Sequence, residues 1–249
     1  MKRPVFAANW KMNNGPSAAA EFMRSFLAAY PKHNDRTVIF FPPSLSVAPL
    51  RAAVRERADV LLGVQNIHWE AQGAFTGEIS ASMARDAGAT VVLVGHSERR
   101  HVFGETDEEC GKKVAAAEKA GLAPMLCVGE KLEERERGET ESVVIRQLRA
   151  GLASITPAHT VPLLVAYEPV WAIGTGKTAT PADAAAVHKV LRAELAPFVG
   201  DRAGHVPLLY GGSVNQGNAS ALLGADNVDG LLVGGASLDP STWLSITSA

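Results

Sequence analysis

Short apolar runs recur along the chain at Val5–Asn9, Thr37–Phe41, Val60–Gln65, Thr90–Val94, Leu122–Val128, Leu163–Glu168, Val206–Tyr210 and Val228–Val233. They are rich in β-branched residues and lack the apolar/polar alternation of a half-exposed strand, so each reads as a strand buried on both faces. Between them lie segments whose apolar positions repeat at helical spacing, at Ser17–Tyr30, Leu45–Arg57, Asp107–Ala120, Glu141–Leu152, Ala182–Pro197 and Asn215–Leu223. Thr180 as cap and Pro181 in the first turn mark where the helix before Pro197 begins. Eight strand-then-helix units average roughly 31 residues each, which suits a strand, a loop and a right-handed crossover helix, and so a parallel sheet. That many units in 249 residues predict an α/β fold of the closed (β/α)8 barrel type rather than an open doubly wound sheet. No Ser/Gly-rich linker interrupts the pattern, and residues 1–249 are expected to form a single domain.

In such a barrel the loops after the C-terminal ends of the strands open on one face, and that face carries the chemistry. The positions reached there are Asn9 and Lys11, His96-Ser97-Glu98, Glu168, Gly211-Gly212-Ser213 and Gly234-Gly235. Each has an ordinary explanation alone: a carboxylate capping a helix, an imidazole hydrogen-bonded in the core, a solvated lysine, an asparagine or glycine in a turn. Their convergence on one predicted face points instead to a site. A desolvated Glu168 can take a proton from carbon while His96 donates to a carbonyl oxygen that gains charge, and Lys11 adds positive charge to that oxygen and to a bound anion. Backbone N–H groups around Gly174, Ser213, Gly234 and Gly235 are suited to a phosphate, with a short helix after the eighth strand pointing its positive end inward. The Pro-to-Gly stretch after Glu168 reads as a lid that keeps water from the base. The substrate expected is a small phosphorylated carbonyl compound.

Composition narrows this further. A formal net charge of −2 with both signs scattered leaves no electrostatic footprint for nucleic acid or an anionic membrane surface. No run approaches the roughly 18 apolar residues of a membrane span, and the apolar run before Asn9 is too short for a secretory signal. Asn218-Ala219-Ser220 therefore carries no weight as a glycosylation acceptor. Cys110 and Cys127 are the only cysteines, with no Cys/His cluster at ligand spacing, so neither a disulfide framework nor a zinc site is expected and a reducing cytoplasm fits. Cys127, inside the fifth strand, reads as a packed thiol and Cys110 as a helical one. Gly176-Lys177-Thr178 ends like a phosphate-binding P-loop, but Trp171 stands where that motif requires glycine. Gly174–Ala179 matches a loose dinucleotide fingerprint, but it starts well past the strand end.

Several motifs together resemble the triosephosphate isomerase family across the whole chain. They are Asn9-Trp10-Lys11-Met12, Gln65-Asn66, Gly73–Ser80, Val94–Arg100, Ala166–Gly176, Tyr210–Val214 and Leu232–Leu238. The resemblance implies interconversion of dihydroxyacetone phosphate and D-glyceraldehyde 3-phosphate through an enediol(ate), without metal or organic cofactor. In that family the established pair is a glutamate base and a neutral histidine electrophile, which implies Glu168 and His96 here. Asn9 and Lys11 would orient the oxyanion, Ser97 would hold Glu168 before closure, and Glu98 and Cys127 would support the constellation. The lid would be Pro169, Val170, Trp171, Ala172, Ile173, Gly174, Thr175, Gly176 and Lys177, latching toward Tyr210 and Ser213. The long loop Gln65–Ser80 would enter a neighbouring subunit with Thr76 near its site, implying a homodimer. Two rival readings share the fold: a Schiff-base aldolase, which would need an inward lysine where Glu168 stands, and a noncatalytic phosphosugar-binding barrel.

Overall fold

The computed structural model describes residues 1–156, 158, 160–173 and 178–249. Eight parallel strands close on themselves in sequence order: β1 (Val5–Asn9), β2 (Thr37–Phe41), β3 (Val60–Val64), β4 (Val91–Val94), β5 (Ala123–Val128), β6 (Leu164–Tyr167), β7 (Leu208–Tyr210) and β8 (Gly230–Val233). The seam is the β1–β8 ladder, where Val5 pairs with Gly230 and Ala8 with Val233. A Cβ at Gly230 would stand 2.0 Å from the Val5 carbonyl oxygen, so only glycine lets the two strands approach this closely.

The side-chain period of two sorts each strand between two cores. Val5, Ala7, Ile39, Val91, Leu93, Met125, Cys127, Leu164, Ala166 and Leu232 fill the barrel interior. Phe6, Ala8, Phe40, Val92, Leu126, Val165 and Leu231 face the helices. The same parity, carried one step past the last apolar residue, turns Asn9 after Ala7 and Glu168 after Ala166 toward the barrel's mouth. Trp10, Phe22, Phe26 and Phe40 pack edge-on under the first helix, Pro16–Ala29.

The predicted strands appear in order, the first two with their predicted bounds and the other six shortened by one or two residues. Glu168 lies just beyond β6 rather than within it. The helix predicted over Leu45–Arg57 is realised as a 3-10 turn at Ser44–Ser46 and a short helix at Val47–Arg51, followed by turns closed by Ala53 N–H to Leu50 and Arg57 N–H to Val54. The helix predicted over Ala182–Pro197 runs Pro181–Glu194 and restarts as Ala196–Val199. Thr180 caps it by accepting from Asp183 N, and Asp183 returns the bond to the Thr180 backbone. None of the described helices is long and apolar enough to cross a membrane.

Candidate active site

Asn9, Lys11, His96, Glu168, Ser213, Gly234 and Gly235 line one cleft of ≈ 260 Å³ at the C-terminal mouth of the barrel, with Ile173 and Leu232 supplying apolar wall. Glu168 is 2% exposed. Its Oε1 accepts from His96 Nε2 at 3.0 Å and its Oε2 from the Ser97 backbone N–H at 2.9 Å. Ser97 thus holds the carboxylate through the main chain. A Cβ at Gly211 would stand 2.9 Å from Glu168 Cγ, so the first glycine after β7 makes room for this side chain.

His96 caps the short helix Ser97–His101, its Nδ1 accepting the Glu98 N–H at 3.3 Å. That contact needs a bare lone pair on Nδ1, which fixes the tautomer with its proton on Nε2, aimed at Glu168. Burial lowers the imidazole pKa, but the carboxylates of Glu168 and, less strongly, Glu98 together more than offset this and the net direction is upward. Burial likewise raises the Glu168 pKa, and His96, the Ser97 N–H and Lys11 overcome it, leaving the carboxylate below its ordinary range.

Lys11 occupies a left-handed backbone conformation (φ 51), which costs a non-glycine residue roughly 1–2 kcal/mol. Two polar side chains hold it there. Asn9 Oδ1 accepts from Lys11 N–H at 3.0 Å, and Gln65 Nε2 donates to the Lys11 carbonyl at 2.8 Å. The ammonium reaches Glu98 Oε1 at 2.7 Å, so Glu98 links the lysine to the helix that His96 caps. Lys11 Cε would meet a Cβ at Gly234 at 3.3 Å. Gly235–Ser237 is a 3-10 turn beginning beside it.

Cys127 is fully buried beneath Glu168, where burial and the carboxylate push its thiol pKa well up; the same packing makes it unsuited to nucleophilic attack. Tyr210 is also buried, its Oη lying against the Ala179 backbone without a well-formed hydrogen bond and its pKa pushed up to about 12 by burial. A Cβ at Gly212 would come within 2.2 Å of that oxygen. Of the stretch expected to form a lid, Pro169 through Ile173 are described, with Val170–Ala172 in a 3-10 turn and Ile173 on the cleft wall. Gly174, Thr175, Gly176 and Lys177 lie outside the described residues. Thr76 is exposed on its loop, away from the cleft, beside a second cavity bordered by His68, Phe75 and Phe103.

Sequence reasoning gave no role to three residues that organise this face. Glu130 is completely buried, accepting from Tyr167 Oη at 3.1 Å and from Trp171 Nε1 at 2.9 Å, while its carbonyl accepts from Val170 N–H. It anchors the turn Val170–Ala172. The strand-end rule applied to β5 leads directly to Gly129-Glu130 and would have found it. Gln65 follows β3 in the same way. Glu105, also buried, accepts from the Gly95 N–H, Arg99 and Lys113 under the His96 loop. It sits mid-loop, and nothing in the linear pattern marks it.

A model of the triosephosphate isomerase family matches residues 4–249. A triosephosphate isomerase of Roseiflexus sp. (strain RS-1) is 47% identical over 247 residues, 99% of this chain and 97% of that protein. One from Solibacter usitatus (strain Ellin6076) is 44% identical over the full length of both. The crystal structure of triosephosphate isomerase from Bartonella henselae superposes with a TM-score of 0.88 at 38% identity, covering 99% of this chain and 98% of that one. With the eight-stranded barrel and the family match running from Pro4 to the last residue, the chain belongs to the triosephosphate isomerase family.

Proposed function

We propose that Glu168 is the base that moves a proton between adjacent carbons of a triose phosphate, with neutral His96 polarising the carbonyl and passing protons between the two enediolate oxygens. The observation that carries this reading is the Glu168–His96 contact inside the cleft that Lys11 also lines. A carboxylate released from His96 toward carbon loses its strongest stabilising partner and becomes more basic. The imidazole then loses the strongest charge that raises its pKa and keeps only Glu98 on that side, while burial, the largest influence, and Lys11 both still lower it. The ring is thereby kept neutral, with its Nε2 proton free to donate to substrate oxygen.

Asn9 and Lys11 orient the oxyanion, and Lys11 meets the phosphate with the backbone around Ser213, Gly234 and Gly235. The lid over Pro169–Lys177 closes with Gly174 toward the phosphate and latches toward Tyr210 and Ser213, excluding water from an intermediate prone to lose phosphate. The whole of residues 1–249 acts as one domain, in the cytoplasm, where its two buried free cysteines stay reduced. Two copies pair through the loop bearing Thr76. That pairing is supported by Met12, 96% exposed, and by Leu45, Met83, Val102 and Phe103, all more than half exposed on a single copy.

The test is isomerisation of D-glyceraldehyde 3-phosphate without added metal or nucleotide by the native chain and by Glu168→Gln. Turnover that falls by orders of magnitude in the variant is the expected result. Equal rates would remove Glu168 from the mechanism, and a native chain that binds the phosphosugar without turnover would favour a noncatalytic barrel.

A further inference from the structure

The β4–β5 ladder stops at the pair Val94 and Leu126, two residues short of His96. Beyond it stand Gly95, which precedes His96, and Cys127, which lies under the Glu168 carboxylate. No strand pairing fixes the spacing of these two residues. A single side chain spans them. Arg100, on the helix that His96 caps, donates from Nε to the Gly95 carbonyl at 2.7 Å and from Nη2 to the Cys127 carbonyl at 3.1 Å. Its Nη1 meets Asp107 Oδ1 at 2.6 Å, and the side chain is 6% exposed.

The local chain is fitted to this arrangement. Gly95 has φ +71, which favours glycine, and a Cβ there would lie 2.6 Å from Arg100 Nη2 and 2.9 Å from Cys110 Sγ. Its N–H is taken by Glu105 at 3.0 Å while its carbonyl is taken by Arg100, so both polar groups of the residue ahead of His96 are held by buried charges. On the other side, the Cys127 side chain points into the barrel under Glu168, and the next residue's carbonyl accepts the Glu168 N–H at 2.8 Å. A planar guanidinium can donate along several fixed directions at once, whereas an ammonium on a flexible stem cannot hold two carbonyls and a carboxylate in one plane.

We propose that Arg100 is a positioning residue that replaces the missing rung between β4 and β5 and so sets the distance between His96 and Glu168. This rests on the roles given to those two residues above. An error of about 1 Å in such a spacing can cost roughly 10²-fold in rate, so the clamp acts on the chemical step rather than on phosphate binding.

The experiment compares native chain, Arg100→Lys, Arg100→Met and Asp107→Asn. It measures kcat and KM for D-glyceraldehyde 3-phosphate, the thermal midpoint, and affinities for two probes. These are 2-phosphoglycolate, whose planar carboxylate copies the charge of an enediolate, and glycerol 3-phosphate, which shares only the phosphate end. In both Arg100 variants kcat should fall by roughly 10²-fold with KM within about threefold of native. Affinity for 2-phosphoglycolate should weaken by a similar factor while glycerol 3-phosphate binding holds. Asp107→Asn, which removes the ion pair and leaves both carbonyl bonds, should keep kcat within about twofold. Arg100→Lys carries the test if Arg100→Met does not fold. Arg100 variants that lose thermal stability but keep kcat and the ratio of the two affinities within about threefold would overturn the proposal and leave Arg100 a structural anchor. Native chain without turnover, or Glu168→Gln at the native rate, overturns the catalytic reading instead, and the affinity ratio still reports on the clamp.

Discussion

His188 shows how a buried residue remote from the cleft sets a working range for the fold. Its ring is fully buried, with Nδ1 2.9 Å from the Asn227 carbonyl and Nε2 without a hydrogen-bond partner among the described residues. Burial outweighs the Asn227 contact and holds its pKa down to about 4. As pH falls below the ordinary value of 6.5, the unfolded chain binds a proton that the folded chain refuses, so stability is lost progressively between 6.5 and about 4. At about 1.36 kcal/mol per pH unit the total is up to roughly 3 kcal/mol. Urea unfolding at pH 7.5 and pH 5 should show a smaller loss on acidification in His188→Leu than in the native chain; parallel losses would clear His188 of the effect. At this scale the sequence was legible where a residue's position on a strand end implied its place in the cleft, as for Asn9, Lys11, His96 and Glu168. It was silent where the task depends on a partner distant in the chain, as for His188 with Asn227 or Glu105 with Lys113.

Between elements, the constraint that matters most at the site is the close passage of β5 and β6. A Cβ at Gly129 would stand 1.8 Å from the Glu168 carbonyl oxygen, and backbone cannot yield as a flexible side chain does. Gly129→Ala should therefore cost about 3 kcal/mol of stability in denaturant unfolding and lower kcat by displacing Glu168. Gly204→Ala serves as the comparison, since nothing lies within 4 Å of the Cβ it would add. A Gly129→Ala midpoint equal to that of Gly204→Ala would mean the strand ends part without penalty. The strands were readable because double burial makes them continuous apolar runs, and the long helices Asp107–Ala120 and Pro181–Glu194 because they show caps and several turns of period. Helices of five or six residues, such as Ala81–Asp86, Ser97–His101 and Leu132–Glu136, complete too few turns to show a period. Pro240–Thr247 did carry its signal in Asp239-Pro240, the Asp239 side chain accepting from Thr242 N–H. The stretch Leu45–Arg57 misled because Pro49 is compatible with a helix's first turn and the apolar spacing continues past the point where turns replace it.

For the whole molecule, the exposed Met12, Leu45, Met83, Val102 and Phe103 set up the association prediction. The loop that bears Thr76 is stiffened by His68, whose ring lies 4.2 Å from both Trp69, on which it stacks, and Phe75, to which it is tilted, so its exposed tip is presented on a built support. Thr76→Asp should give monomers by light scattering and poor isomerase activity, because a charge brought into an apolar interface without a partner is costly. An unchanged dimer would count strongly against the pairing assigned to this loop. The closed barrel was legible at this scale from the repeat alone, whereas the exposure of Met12, Leu45, Met83, Val102 and Phe103 was not, because exposure depends on the packing of the whole chain. The β1–β8 seam has a further consequence, for synthesis on the ribosome. Asn9 and Lys11 belong to the first strand and the loop after it and Gly234 and Gly235 follow the eighth, yet they share one cleft. Until the final strand emerges and seats against Val5, the growing chain has neither a closed core nor a complete binding surface, so it can release no half-competent catalyst. The cleft's two halves meet only once the eighth strand has been made and has closed the barrel.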